Sequence, residues 1–97
     1  MSLKAGIVGL VRGKAYVGCF RKAGVEVVAL CDSNERVLKE AGAEFGISNL
    51  YTQYQQFLSS GTDIVVIATP LPLHAKQCIA AIDAGKHVLS EVPPVKK

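Results

Sequence analysis

Two short segments of the 97-residue chain carry residue types and spacings that could act on a ligand. The first is Gly9-Leu10-Val11-Arg12-Gly13, a glycine-bracketed turn directly after the strand-like run Lys4–Gly9. Backbone N–H groups in such a turn can approach a pyrophosphate where a helix begins. Gly9 suits the tight turn, Val11 stands at the second glycine of G-x-G-x-x-G, Lys14 at the third, and Gly13 comes one residue early. The fingerprint is degenerate, and a plain strand-to-helix turn explains these glycines equally well. The second segment is Cys31-Asp32-Ser33. Asp32 lies 23 residues after Gly9, near the ~20-residue offset of the acid that accepts the hydroxyls of an adenosine ribose. A carboxylate there repels a 2′-phosphate and favours NAD. Ser33 and Arg36 keep NADP open, because a hydroxyl and a guanidinium can hold a phosphate. Asp32 has a competing role as a helix cap. Gly9 and Asp32 together, each at a strand end, tip the balance towards a dinucleotide.

Composition narrows the classes. Eleven Lys and Arg against eight Asp and Glu give a net charge of +3, with the basic residues scattered along the chain. No nucleic-acid partner is expected, since that calls for a basic cluster. Cysteines at 19, 31 and 78 show no C-x-x-C spacing, which points away from a disulfide framework and a metal site. Each is expected to be a small buried thiol in a reducing cytoplasm. Uncharged apolar runs such as Ile64–Ala68 are too short to cross a bilayer, so no membrane role is expected. With 49% hydrophobic and 20% charged residues the chain reads as one globular domain, 1–97.

The elements that must position these residues alternate. Strands are expected at Lys4–Gly9, Val25–Cys31, Asn49–Tyr51, Asp63–Ala68 and His87–Ser90. Helices fall between them. The first runs from about Gly13 to Ala23 and ends at Gly24; the second, capped by Ser33, places Val37, Leu38, Ala41 and Phe45 on one face. A short one covers Gln53–Ser59. The last, Leu73–Ala84, follows the breaker Thr69-Pro70-Leu71-Pro72 and places Ala75, Cys78, Ile79 and Ile82 on its apolar face. Five such alternations predict an α/β fold with right-handed crossovers: a Rossmann-like doubly wound parallel sheet of order 3-2-1-4-5. A ligand then sits beyond the carboxyl ends of the strands, where strand order reverses.

The segments after the fourth and fifth strands carry a resemblance. Asp63-Ile-Val-Val-Ile-Ala-Thr-Pro70, then His74, then Ala84-Gly-Lys-His-Val-Leu-Ser-Glu-Val-Pro93 resemble the glucose–fructose oxidoreductase / inositol dehydrogenase (Gfo/Idh/MocA) family. The likeness runs from about Lys4 to Pro93. It implies Gly9, Leu10, Val11 and Arg12 at the pyrophosphate, Asp32 at the adenosine ribose, and Thr69 with Pro70 on the nicotinamide side. It implies His74 near the cofactor, Glu91 near the nicotinamide ribose with Pro93 closing the motif, and structural roles for Lys86 and His87. The implied cofactor is NAD, with NADP open.

Two departures bear on activity. Val92 stands where the family's Glu-Lys-Pro has its lysine, and valine has no proton to give. Family members also continue into a sixth strand and a second domain, which carries most substrate and catalytic groups. The chain is therefore expected to be a fragment with no catalytic residue of its own. It reads as the NAD(P)-binding domain of an oxidoreductase acting on a sugar, cyclitol or similar polyol, assembled as a homo-oligomer through the absent domain. The alternative is a non-catalytic nucleotide-binding or sensing module. Another Rossmann-like binder, such as a methyltransferase, is opposed by the Thr-Pro and Gly-Lys-His-Val blocks.

Overall fold

A computed structural model describes residues 3–90 of the chain. Its elements are β1 (Lys4–Val8), α1 (Leu10–Gly13), α2 (Ala15–Lys22), β2 (Glu26–Cys31), α3 (Glu35–Phe45), β3 (Leu50–Tyr51), α4 (Tyr54–Leu58), β4 (Ile64–Ile67), α5 (Leu71–Asp83) and β5 (His87–Ser90). The strands form one sheet in the order β3-β2-β1-β4-β5, every pairing parallel, as the alternation predicts.

Alternation along each strand divides the core between the two faces of the sheet. Ile7 pairs with Leu30 on one side and Val66 on the other, and all three join Leu10, Val17, Leu38 and Ala41 in one cluster. The neighbouring positions Val8, Cys31 and Ile67 turn the opposite way, onto Phe57, Leu58 and Ala81. Both faces of the central strands are covered, which explains why β4 reads as an unbroken apolar run.

Several expectations need correction. The first helix starts earlier and is broken: α1 begins at Leu10, and Lys14 separates it from α2. The α3 cap is Asn34, whose side chain accepts the N–H groups of Arg36 and Val37 at 3.1 and 3.3 Å, in place of Ser33. The shift follows from Asp32, whose Oδ1 accepts the Asn34 N–H at 2.8 Å and carries the chain one residue further before the helix begins. Cys19 is exposed and Cys78 half-buried, leaving Cys31 as the buried thiol.

α5 departs most. Pro72 sits in its first turn as the sequence suggests, but the face towards the sheet is His74, Gln77, Cys78 and Ala81. Ile79 and Ile82 are 61% and 62% exposed. The small Ala81, fully buried, sets the rotation of the helix on the sheet. Lys86 has the structural part expected of it: its Nζ donates to the Thr62 carbonyl at 2.6 Å and ties the approach to β5 to the approach to β4. Among the described residues, no helix is long and apolar enough to cross a membrane.

Candidate functional site

The carboxyl ends of β1, β2 and β4 meet at Gly9. Its φ of 88° lies in the left-handed region, and a Cβ there would stand 2.7 Å from the carbonyl carbon and oxygen of Ala68. No other residue fits without displacing β4. The Gly9 N–H donates to the Cys31 carbonyl at 3.1 Å, and the Ala68 N–H to the Val8 carbonyl at 3.0 Å, so three strand ends are tied at one turn. Gly13, not Lys14, performs the close helix-to-strand packing of the third fingerprint glycine. A Cβ on Gly13 would lie 2.7 Å from Ile7 Cγ2, whereas Lys14 is exposed and pairs with Glu44 at 3.4 Å. The close packing of the third glycine is thus made one residue early, while an exposed Val11 replaces the second.

Asp32 is bound into this turn. Its Oδ2 accepts the Leu10 N–H at 2.9 Å while Oδ1 holds Asn34. A carboxylate oxygen has two lone pairs, so both oxygens keep capacity for a ligand hydroxyl. The side chain of Leu10 is fully buried in the core; that of Val11 is 83% exposed.

A cleft of about 450 Å³ opens at this point. Gly9, Val11 and Arg12 line it from the first turn, Asp32 and Ser33 from the end of β2, and Thr69 and Pro70 from the end of β4. These seven expected residues are brought together. Leu10 reaches the site only through its N–H. Arg36 does not line the cleft and is paired with Glu40 at 3.6 Å on the outer surface of α3. His74 is buried away from the cleft, with Nε2 2.8 Å from Ser90 Oγ and Nδ1 3.7 Å from Cys78 Sγ. Glu91 and Pro93, and Val92 between them, lie outside the described residues.

Sequence reasoning missed the far wall. Thr52, Tyr54, Leu73 and Gln77 line the same cleft. Thr52 and Tyr54 follow a strand end, the place where a ligand wall is to be sought; Gln77 sits mid-helix and has no spacing signature. Its amide oxygen accepts from the Thr69 hydroxyl at 2.5 Å, and its carbonyl accepts from the Tyr54 hydroxyl at 2.7 Å. Burial pushes the Tyr54 phenol well up, with the nearby thiols of Cys78 and Cys31 adding to the shift, so it remains a donor at neutral pH. Burial, with Asp32 beside it, pushes the Cys31 thiol up to about 12, which leaves it a neutral wall residue and no nucleophile. Among the described residues, no group of three or more His, Cys, Asp or Glu could hold a metal ion.

A doubly wound parallel sheet, with a cleft over its switch point floored by a glycine turn and edged by an acid, defines a Rossmann-type domain. Residues 3–97 match the family model of the Gfo/Idh/MocA oxidoreductase family, NAD-binding Rossmann fold, and the chain belongs to that family. It is 35% identical to a glycosyl hydrolase family 109 protein of Shewanella sp. (strain W3-18-1), with 94% of this chain and 22% of that protein covered. Among solved structures, the WlbA dehydrogenase of Bordetella pertussis in complex with NADH and UDP-GlcNAcA superposes with a TM-score of 0.85 at 34% identity, covering 93% of this chain and 28% of that one. Scyllo-inositol dehydrogenase of Lactobacillus casei, with bound NAD(H) and scyllo-inositol, does so at 0.85 and 29% identity with the same coverage. The chain thus spans under a third of the length of these relatives.

Proposed function

We propose that the cleft binds NAD(H) as the cofactor domain of a dehydrogenase whose substrate is a sugar, cyclitol or similar polyol. The observation that carries this reading is the convergence of the Gly9 turn and the Asp32 carboxylate on one cleft at the strand ends. The close approach of Gly9 to Ala68 leaves the turn without a side chain where a diphosphate must come near backbone. NAD, when bound, supplies the acceptor for a hydride from a substrate carbinol carbon.

The chain's own residues have positioning roles. Asp32 accepts the adenosine ribose hydroxyls with the lone pairs that Leu10 and Asn34 leave free, and it disfavours a 2′-phosphate. Arg12, exposed on the cleft, offers a positive charge to the diphosphate. Ser33 stands beside Asp32, and Pro70 leads towards the nicotinamide side. Glu91 and Pro93 belong to the nicotinamide end on the strength of the resemblance alone. The resemblance assigns the base for the hydroxyl proton, the substrate contacts and the homo-oligomer interface to the second domain of the family. Val92 favours a second reading, a nucleotide-binding module without chemistry, because the lysine that handles a proton in the family motif is replaced.

Calorimetric titration with NADH and NADPH tests the reading. NADH is expected to bind and NADPH to bind more weakly. Tighter binding of NADPH would overturn the role given to Asp32, and no binding of either would overturn the dinucleotide reading.

A further inference from the structure

Gln77 projects from α5 with its amide in a fixed orientation. Oε1 accepts from the hydroxyl of Thr69, which is 6% exposed. The Gln77 carbonyl is held from α4 by the Tyr54 phenol. No described residue partners Nε2. Among the described residues the one buried side-chain nitrogen or oxygen without a partner is Thr62 Oγ1, so the Gln77 nitrogen reaches open space. Gln77 lines the cleft it shares with Asp32.

A free glutamine amide can turn over and exchange its donor and acceptor. Here the turn would make Nε2 the donor to Thr69 Oγ1 and leave the hydroxyl proton of Thr69 without the acceptor it now has. The cleft is therefore shown a donor, Nε2–H, beside an acceptor, the second lone pair of Oε1. This pair complements adenine, whose amino group donates next to a ring nitrogen that accepts. Hypoxanthine carries an oxygen in place of the amino group, and that oxygen would face Oε1 with two acceptors opposed.

We propose that Gln77, its amide pinned by Thr69, reads the base of the bound dinucleotide and selects adenine. The inference rests on the dinucleotide reading above and adds a specificity residue to it. Thr69 is a positioning residue on this account: it acts on the base through Gln77, while Pro70 remains with the cofactor's other half.

The experiment compares NAD with nicotinamide hypoxanthine dinucleotide by calorimetry on the unmodified chain and on Gln77→Glu and Thr69→Val. The unmodified chain is expected to prefer NAD by roughly tenfold, the scale of one hydrogen bond made or opposed. Gln77→Glu keeps an acceptor for Thr69 and removes the donor, and the preference should fall to about twofold or less. Thr69→Val keeps Gln77 but frees its amide to turn over, so the ratio of the two affinities should fall to about twofold or less, whatever the change in NAD affinity itself. Circular dichroism and melting of each variant separate these effects from loss of fold. NAD binding with no base preference, or a preference that survives both substitutions, would overturn the role of Gln77 and leave the dinucleotide reading standing. Failure of the unmodified chain to bind either dinucleotide would overturn both.

Discussion

α3 and α5 lie on opposite faces of the same sheet, and they were built by different rules. α3 turns Leu38, Ala41 and Gly42 inward and carries two i,i+4 ion pairs outward, Lys39 with Glu35 and Arg36 with Glu40. Its polarity follows burial. α5 turns His74, Gln77 and Cys78 towards the sheet end and leaves Ile79 and Ile82 in the open. His74 is bonded to Ser90 away from the cleft, and Gln77 to Thr69 and Tyr54 beside it. A helix that only closes a core can be packed by apolar matching alone. A helix that borders a site carries polar groups on its packed side, and the surface has no such constraint to satisfy.

The largest test of the contrast is Leu38→Ala. Deleting a buried leucine should cost about 2–5 kcal/mol in a urea unfolding titration, with NADH affinity of the folded fraction unchanged. Loss of affinity without loss of stability would mean that α3 also serves the site. His74→Ala should have a smaller effect, roughly 1–3 kcal/mol, from its lost bond to Ser90 and the space left in the packing. A neutral or stabilising result would show the inward histidine to be replaceable packing. Smallest is Ile82→Lys, expected to change stability by less than about 0.5 kcal/mol because its side chain faces solvent. A loss of 2 kcal/mol or more, on the buried-leucine scale, would place α5's true packing face where the sequence periodicity put it.

The same contrast marks what could be read from residues alone. Strand order, the five strands and the helix stop at Gly24 were legible, since β-branched runs and left-handed glycines are local signals. Half of the cleft was legible too, because Gly9, Asp32 and Thr69 follow strand ends. The α5 face was misread because periodicity rewards Ile79 and Ile82 and has no means of knowing that the helix borders a cleft. Gln77 was invisible for the same reason: its role exists only once Thr69 and Tyr54 are brought to it from two other elements. The displaced Gly13 shows a third limit. A motif counted by position fails when a turn loses a residue, although the close approach to Ile7 that demands glycine is still made.

The bond from Leu10 N–H to Asp32 bears on how this domain can be retargeted. Exchanging the acid after the second strand for a small neutral residue is the direct way to admit a phosphorylated ribose, since it removes the repelling charge. In this chain the exchange would also withdraw the acceptor that holds the start of the glycine turn, so selectivity and turn geometry change in one step. Asparagine keeps only one of the two bonds: with its amide oxygen on the Leu10 N–H, its N–H₂ opposes the Asn34 N–H that Oδ1 now accepts. On the role proposed for Asp32, cofactor choice is anchored by backbone architecture as well as by charge.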